Sequence, residues 1–490
     1  MKSQIINKNL EATLTLIGDL IYTESFTADG GADFLSGKNI SLKKGQKQFE
    51  ISFILESEER HYFNTALETK LLEYKLTAES GNTYFAPEKS TLLTNIKDIN
   101  IDLPEFEVSG SVSKLSTSPI SDFEDKYHRV LIPISDSQFR FNHIARYRFD
   151  SDASFKNKEL VKVQIEEHKF HLFTFKKDDK VYWAIDSLQK LTFRDFQELA
   201  YSIFNSYGFV TGDLHLNEAY YICSNEAQFL AELELIYASL RDSLITGYGI
   251  YTTNPYSVYV PLFRSQQKEI DHDFVKIWTE KLGWFREDVF SNLATLLHKY
   301  DSISRAALIV LEANLQPLEL KAASYCVAFE AICHTIKKEF GIKSPNVIDN
   351  DLWDTTIKKQ FSDLIEKLRH DNTINEDQER ILSNKLNNWN QPTNRDSLTA
   401  PFTKYSYNLS KDEYKCIDNR NRFLHGSLPV NERDEDEAFR ELYHISMTIH
   451  RLIYVLILKA SEFNGFIINY PKLHQHITGR PIDEELFIEI

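Results

Sequence analysis

The run Arg420-Asn421-Arg422-Phe423-Leu424-His425-Gly426 gathers a guanidinium, a carboxamide and an imidazole in a short stretch of chain. An imidazole titrates near neutrality and can take or give a proton, and a guanidinium can grip a phosphate through two N–H donors. That chemistry is apt for RNA. His425 would act as general base toward the 2′-hydroxyl, or as acid toward the leaving 5′-oxygen, while Arg420 stabilises the charge building on the phosphate. Asn421 can hold the imidazole or a phosphate oxygen in place. The expected products are a 2′,3′-cyclic phosphate and a 5′-hydroxyl. On a helix Asn421 and His425 share a face, whereas Arg420 stands about 140° round from His425. The three can line a cleft wall, and a second helix, or a second copy of this one, must complete the site. Lys411, Lys415 and Arg422 can supply a local positive patch for nucleic acid, and Tyr405, Tyr407 or Tyr414 can stack unpaired bases or belong to the core. The plainer alternative is that Arg420 and Arg422 form surface ion pairs and His425 is a cation favoured by the helix dipole.

Other candidate sites fail on spacing. In Gly31 to Asn39, GADFLSGKN, five residues separate the two outer glycines where a phosphate loop has four, and Asn39 stands where a magnesium-binding hydroxyl belongs. A β-turn is expected there. His168 and His171 point to opposite faces of a strand, and His474 and His476 lack a third ligand. Asp349, Asp351 and Asp354 lack the glycine and terminal glutamate of a calcium loop. Cys326 and Cys333, seven apart, read as buried thiols of one helix face. The site is therefore expected to hold no metal and no cofactor.

The elements that carry these residues change character along the chain. From Ala12 to about Leu262 the period is two: Val161, Val163 and Ile165 alternate with Lys162, Gln164 and Glu166, and similar runs recur at Ile51 to Leu55, Val130 to Ile134, Lys169 to Phe175 and Val181 to Ile185. Lys177 to Lys180 reads as a hairpin turn. One inserted helix is capped by Thr192, with Phe193, Phe196, Ala200, Ile203 and Phe204 on one face. Beyond about residue 265 the period is near 3.6. Helices are expected from Phe274 to Leu296, Ala306 to Leu315, Leu320 to Phe340, Trp353 to Leu368, Asp377 to Trp389, Lys411 to Leu424 and Glu432 to about Phe463, followed by strand-like Phe466 to Tyr470 and Leu486 to Ile490. Gly426 and Pro429 are placed to end the helix of the Arg-Asn motif. The fold class is thus α+β in two domains. Residues 1–262 form a mainly antiparallel, sandwich-like β domain with inserted helices, and residues 263–490 form a helical bundle with a short terminal β element.

Composition bounds the partners. The 490 residues carry 56 Lys plus Arg against 72 Asp plus Glu, a formal net charge of -16, so nucleic acid can be held only at a local basic patch. The 16 glycines and 4 scattered cysteines leave no glycine-rich phosphate architecture and no disulfide framework. The first residues lack the apolar centre of a signal peptide, and the longest aliphatic stretch, Leu452 to Leu458, is far short of a bilayer span. A cytoplasmic protein with no membrane partner is expected.

An R-N-x-x-x-H-G run, late in a bundle and followed by a long final helix, resembles the HEPN superfamily of ribonucleases, whose motif is R-x(4-6)-H with a polar residue directly after the arginine. Arg420, Asn421 and His425 match it position by position. A β-rich half fused to such a bundle is similar to the ApeA family of bacterial anti-phage abortive-infection proteins. The resemblance implies a metal-independent endoribonuclease acting on cellular RNA, with the N-terminal domain as regulator or sensor of a phage-derived protein trigger, and motif helices paired across the two-fold axis of a homodimer or a higher even oligomer. The polar segment Asp371 to Asn408 is longer than a minimal bundle needs, and reads as a substrate-guiding insertion or a plain surface elaboration. The competing function class is an inert HEPN-like dimerisation scaffold carrying a β-rich binding module.

Overall fold

Alternating apolar residues between Ile6 and Ser239 build one long hydrogen-bonded ladder of 16 strands. This computed structural model describes residues 6–31, 34–45, 48–56, 73–98, 105–134, 144, 147–151, 155–214, 217–240, 244–245, 285–424 and 435–490. Among the described residues every strand pairing is antiparallel except that of Ile6–Asn7 with Phe149–Asp150. The two halves of this ladder are linked by the consecutive strands Glu105–Val112 and Lys114–Ser116 and meet at the single pair Phe85–Ser116. Both halves share one core, where Phe49 meets Tyr237 edge-to-face at 4.8 Å. The turn expected at Lys177 to Lys180 is present, with Asp178 taking the left-handed conformation at φ 53°.

Among the described residues three α-helices belong to this β unit. The first, α1 (Glu11–Tyr22), buries Thr13, Ile17 and Leu20. In α2 (Phe193–Thr211) the Thr192 hydroxyl accepts from Asp195 N at 3.1 Å, and the anticipated apolar face is buried along with most of the helix. The third, α3 (Glu287–Lys299), corrects the sequence reading, which placed it in the bundle. The chain divides into compact units Met1–Lys299 and Tyr300–Ile490, so the division follows Lys299 and not residue 262. The cause is the far end of strand Phe155–Ile165, past its pairing with Tyr147 and Arg148. Lys162 N donates to Glu287 Oε1 at 2.5 Å and Gln164 N to Ser291 Oγ at 3.0 Å, so α3 supplies acceptors that an edge strand lacks. Phe274, Ile277 and Trp278 lie outside the described residues.

The second unit is helical, with α4 (Asp301–Ala313), α5 (Leu318–Glu339), α6 (Lys358–His370), α7 (Glu376–Asn388), α8 (Asn394–Lys404), α9 (Lys411–Leu424) and α10 (Glu435–Ala460). Helix α5 is the hub and packs on α4, α8, α9 and α10. Leu452, Ile453, Tyr454, Val455, Leu456 and Ile457 of α10 are shut off from water all round, as befits a central helix. Strands Phe466–Ile468 and Phe487–Glu489 pair with each other. Sequence patterning passed over α8, which lies in the polar stretch Asp371 to Asn408 yet buries Leu398, Pro401 and Phe402. By contrast α6 buries no residue and α7 only Leu386. These two helices form a hairpin, entered through Asn350–Leu352 and a π-helical turn at Trp353–Ile357. Its main ring contact, Phe361 on Trp389 at 4.9 Å, leaves the tryptophan 56% exposed.

Candidate functional site

Helix α9 starts on a reciprocal cap. Glu413 N donates to Ser410 Oγ at 3.2 Å and Ser410 N donates to Glu413 Oε2 at 2.8 Å. Glu413 is itself buried, and its Oε1 accepts from Tyr407 Oη and from Arg451 Nη2, each at 2.8 Å. Arg451 also donates through Nη1 to Asn469 Oδ1 at 2.5 Å and to Glu484 Oε2 at 2.7 Å. Burial opposes the charge on Arg451, and Glu413, Tyr407 and Glu484 more than offset it, raising the guanidinium pKa. This internal network locks the first turn of α9 to α10 and to the segment after it.

Around the axis of α9, at 100° per residue, Lys411, Lys415 and Arg422 lie within about 40° of one another. All three are exposed, and Lys415 Nζ lies 4.0 Å from Glu441 Oε1. Glu413, Cys416, Ile417, Arg420 and Phe423 make the buried face, with Arg420 in its middle, about 180° from Lys411. Arg420 donates from Nε to Glu330 Oε1 on α5 at 2.8 Å and from Nη1 to the Ile417 carbonyl at 3.1 Å. The expectation that Arg420 lines an open cleft is therefore corrected. Its helical phase carries it inward, and Glu330 neutralises it there. The basic stripe faces the opposite way, so the structure does not bring Arg420 together with Lys411, Lys415 and Arg422. Asn421 sits in α9, but its side chain and the whole of His425 lie outside the described residues. Nor do the tyrosines offer a stacking platform. Tyr407 serves the Glu413 network, the buried Tyr405 hydroxyl is pushed up to about 12 by burial, and Arg395 covers the Tyr414 ring at 4.7 Å.

A second grouping was invisible to sequence spacing. At the start of α9 a cleft of about 480 Å³ is walled by Lys411, Asp412, His444, Arg451, Arg480 and Glu484, among others. His444 Nε2 donates to Asp412 Oδ2 at 2.6 Å, and the His444 side chain is almost wholly buried. That hydrogen bond holds the Asp412 carboxyl below the usual carboxylate range. Cys416, one turn along α9, brings its sulfur to the same place: one donor atom each from Asp412, Cys416 and His444 lies within 4.8 Å of the others. Burial, with Asp412 adding to it, pushes the Cys416 thiol up to about 12. The only sequence signal was the interval of four between Asp412 and Cys416, because His444 comes from the next helix.

Among the described residues no helix is long and apolar enough to cross a membrane. Compared with family models, with curated proteins and with solved structures, the chain gives no significant match to any of them.

Proposed function

We propose that the chain is a HEPN-type endoribonuclease that cuts cellular RNA, transfer RNA among the candidates, without a metal ion in the reaction. In this reading it is a toxic effector of anti-phage abortive infection resembling the ApeA family, acting as a homodimer in the cytoplasm, with the β unit sensing a phage-derived trigger. His425 exchanges protons with the ribose 2′-hydroxyl or the leaving 5′-oxygen, and Asn421 orients it. The observation that carries the reading is the anchoring of the motif helix: Arg420, tied to Glu330 and to the Ile417 carbonyl, fixes the C-terminal turns of α9 on α5. Arg420 is then a positioning residue for the helix that carries the motif. Lys411, Lys415 and Arg422 form a basic stripe that suits a phosphate backbone.

The same ion pair favours a second reading. A guanidinium already neutralised in a packed interior is what a catalytically inert dimerisation bundle would also keep. His425→Ala separates the two, since neither Arg420 nor Glu330 is touched. Purified wild-type protein, activated in cells or by lysate, should generate RNA ends bearing 2′,3′-cyclic phosphate, and the His425→Ala protein should generate none while melting at the same temperature. Equal cleavage by both proteins, or by neither, removes the ribonuclease reading.

A further inference from the structure

We propose that Asp412, Cys416 and His444 form a three-ligand site for a borderline-soft divalent transition metal, zinc being the natural occupant, with its fourth position open to the cleft beside α9. The donor set is one carboxylate, one thiol and one imidazole, with one donor atom from each within 4.8 Å of the other two. A thiolate discriminates against magnesium and calcium, and the mix of sulfur, nitrogen and oxygen donors is that of zinc sites.

Two further observations point to a ligand there. His444 is almost wholly buried and turns Nε2 toward Asp412 Oδ2 at 2.6 Å, so imidazole nitrogen and carboxylate oxygen already converge on one point. Asp412 and His444 also line the cleft of about 480 Å³, so an ion has a route in and the fourth position has room for water. The frame is rigid where rigidity helps. Cys416 is held against α10 in the interior, and the cap at Ser410 fixes the turn that carries Asp412. Asp412 is the adjustable ligand, with about half of its side chain exposed. Its carboxylate must move from hydrogen-bond distance of the imidazole to about 3.3 Å for both to sit 2.0–2.1 Å from one ion. On binding, the Cys416 S–H bond breaks and its proton goes to solvent, sulfur keeping the electron pair that it shares with the metal; His444 loses the Nε2 proton that it shared with Asp412 and carries its proton on Nδ1 instead, so the imidazole coordinates in its neutral form. Arg451 and Arg480 also face the cleft, but each is paired with carboxylates, Arg451 with Glu413 and Glu484 and Arg480 with Glu441.

The experiment uses the full-length chain, stripped of metal and titrated with zinc against a chromophoric chelator, then with cobalt followed by absorbance. Wild type should bind zinc stoichiometrically and give a thiolate-to-cobalt charge-transfer band. Cys416→Ser should lose that band, whereas Cys326→Ser, which changes another buried thiol, should keep it. Asp412→Asn, made at a half-exposed position where folding is not at risk, should weaken zinc binding by more than the roughly 10- to 100-fold that follows loss of an outer-shell partner. Absence of stoichiometric zinc in wild type, a charge-transfer band that survives in Cys416→Ser, or an Asp412→Asn protein that binds as tightly as wild type would each overturn the site. None of these readouts depends on RNA cleavage.

Discussion

Arg420 Nε donates to Glu330 Oε1 at 2.8 Å across the contact of α9 with α5, with the arginine side chain 4% exposed and the glutamate 38%. The two partners are therefore not equivalent. Loss of the arginine leaves a carboxylate that water can still reach, whereas loss of the glutamate strands a guanidinium in the interior.

Breaking a buried pair by removing one partner costs about 3–5 kcal/mol, and partial exposure of Glu330 puts Arg420→Ala near the lower end of that range. Glu330→Ala should destabilise at least as much. The pair Arg420→Met with Glu330→Gln, which removes both charges, should recover most of the loss. Urea unfolding of the three proteins checks the order; a fully stable Arg420→Ala would mean that the ion pair contributes nothing.

Cleavage by the wild-type protein should persist in excess EDTA. The reaction assigned to His425 needs no ion, and Asp412 lies about 12 Å along α9 from Arg420 by helical rise. EDTA should nonetheless strip zinc from the Asp412 group. Metal content and RNA ends measured on one sample decide both points, and restoration of lost activity by magnesium would defeat the metal-free mechanism.

The basic stripe gives a salt-dependence prediction. If Lys411, Lys415 and Arg422 each neutralise one phosphate, replacing all three by Gln should lower the slope of log K against log salt by about 2 for single-stranded RNA. Stability should change little, because all three are exposed. An unchanged slope would move the RNA path off this face.

Three buried histidines and one half-buried histidine set an acid limit. Burial lowers His128, His171 and His474 to about 4 and His450 to about 3. A histidine whose folded pKa lies below its unfolded value of about 6.5 binds more protons when unfolded. Its stabilisation is therefore complete above about pH 6.5 and drains away as pH falls toward 4 and below. His450, ringed by Tyr325, Tyr454 and Tyr470 with neither nitrogen hydrogen-bonded, is the clearest case. His450→Phe should flatten the fall in melting temperature between pH 6.5 and 4, and a curve as steep as wild type would assign the acid limit to other groups.

Local order was readable and long-range pairing was not. The bounds of α9, the cap at Thr192, the turn at Lys177 to Lys180 and the closing strands all follow from periodicity and end signals within a few residues. Helix α3 was readable as a helix, but not as cover for the unpaired N–H groups of Lys162 and Gln164, more than 120 residues earlier. The inward turn of Arg420 was hidden for the same reason, since arginine reads as surface until Glu330, 90 residues away, is known to meet it. Asp412 and His444 are likewise 32 apart. Helix α8 was hidden by its own composition, two apolar anchors in a polar segment with Pro401 inside the helix.

The hairpin of α6 and α7 has a consequence for how the second unit comes apart. Opening it would uncover little apolar surface that water does not already touch, since Leu364, Ile381 and Trp389 are half bare in the folded state. Its local unfolding free energy is correspondingly a small part of the whole. Amide hydrogens there should trade with deuterium long before those of Leu452 to Leu458. A limited protease should make its first cut in the Asp371 to Asn375 link while α5 and α10 remain folded together.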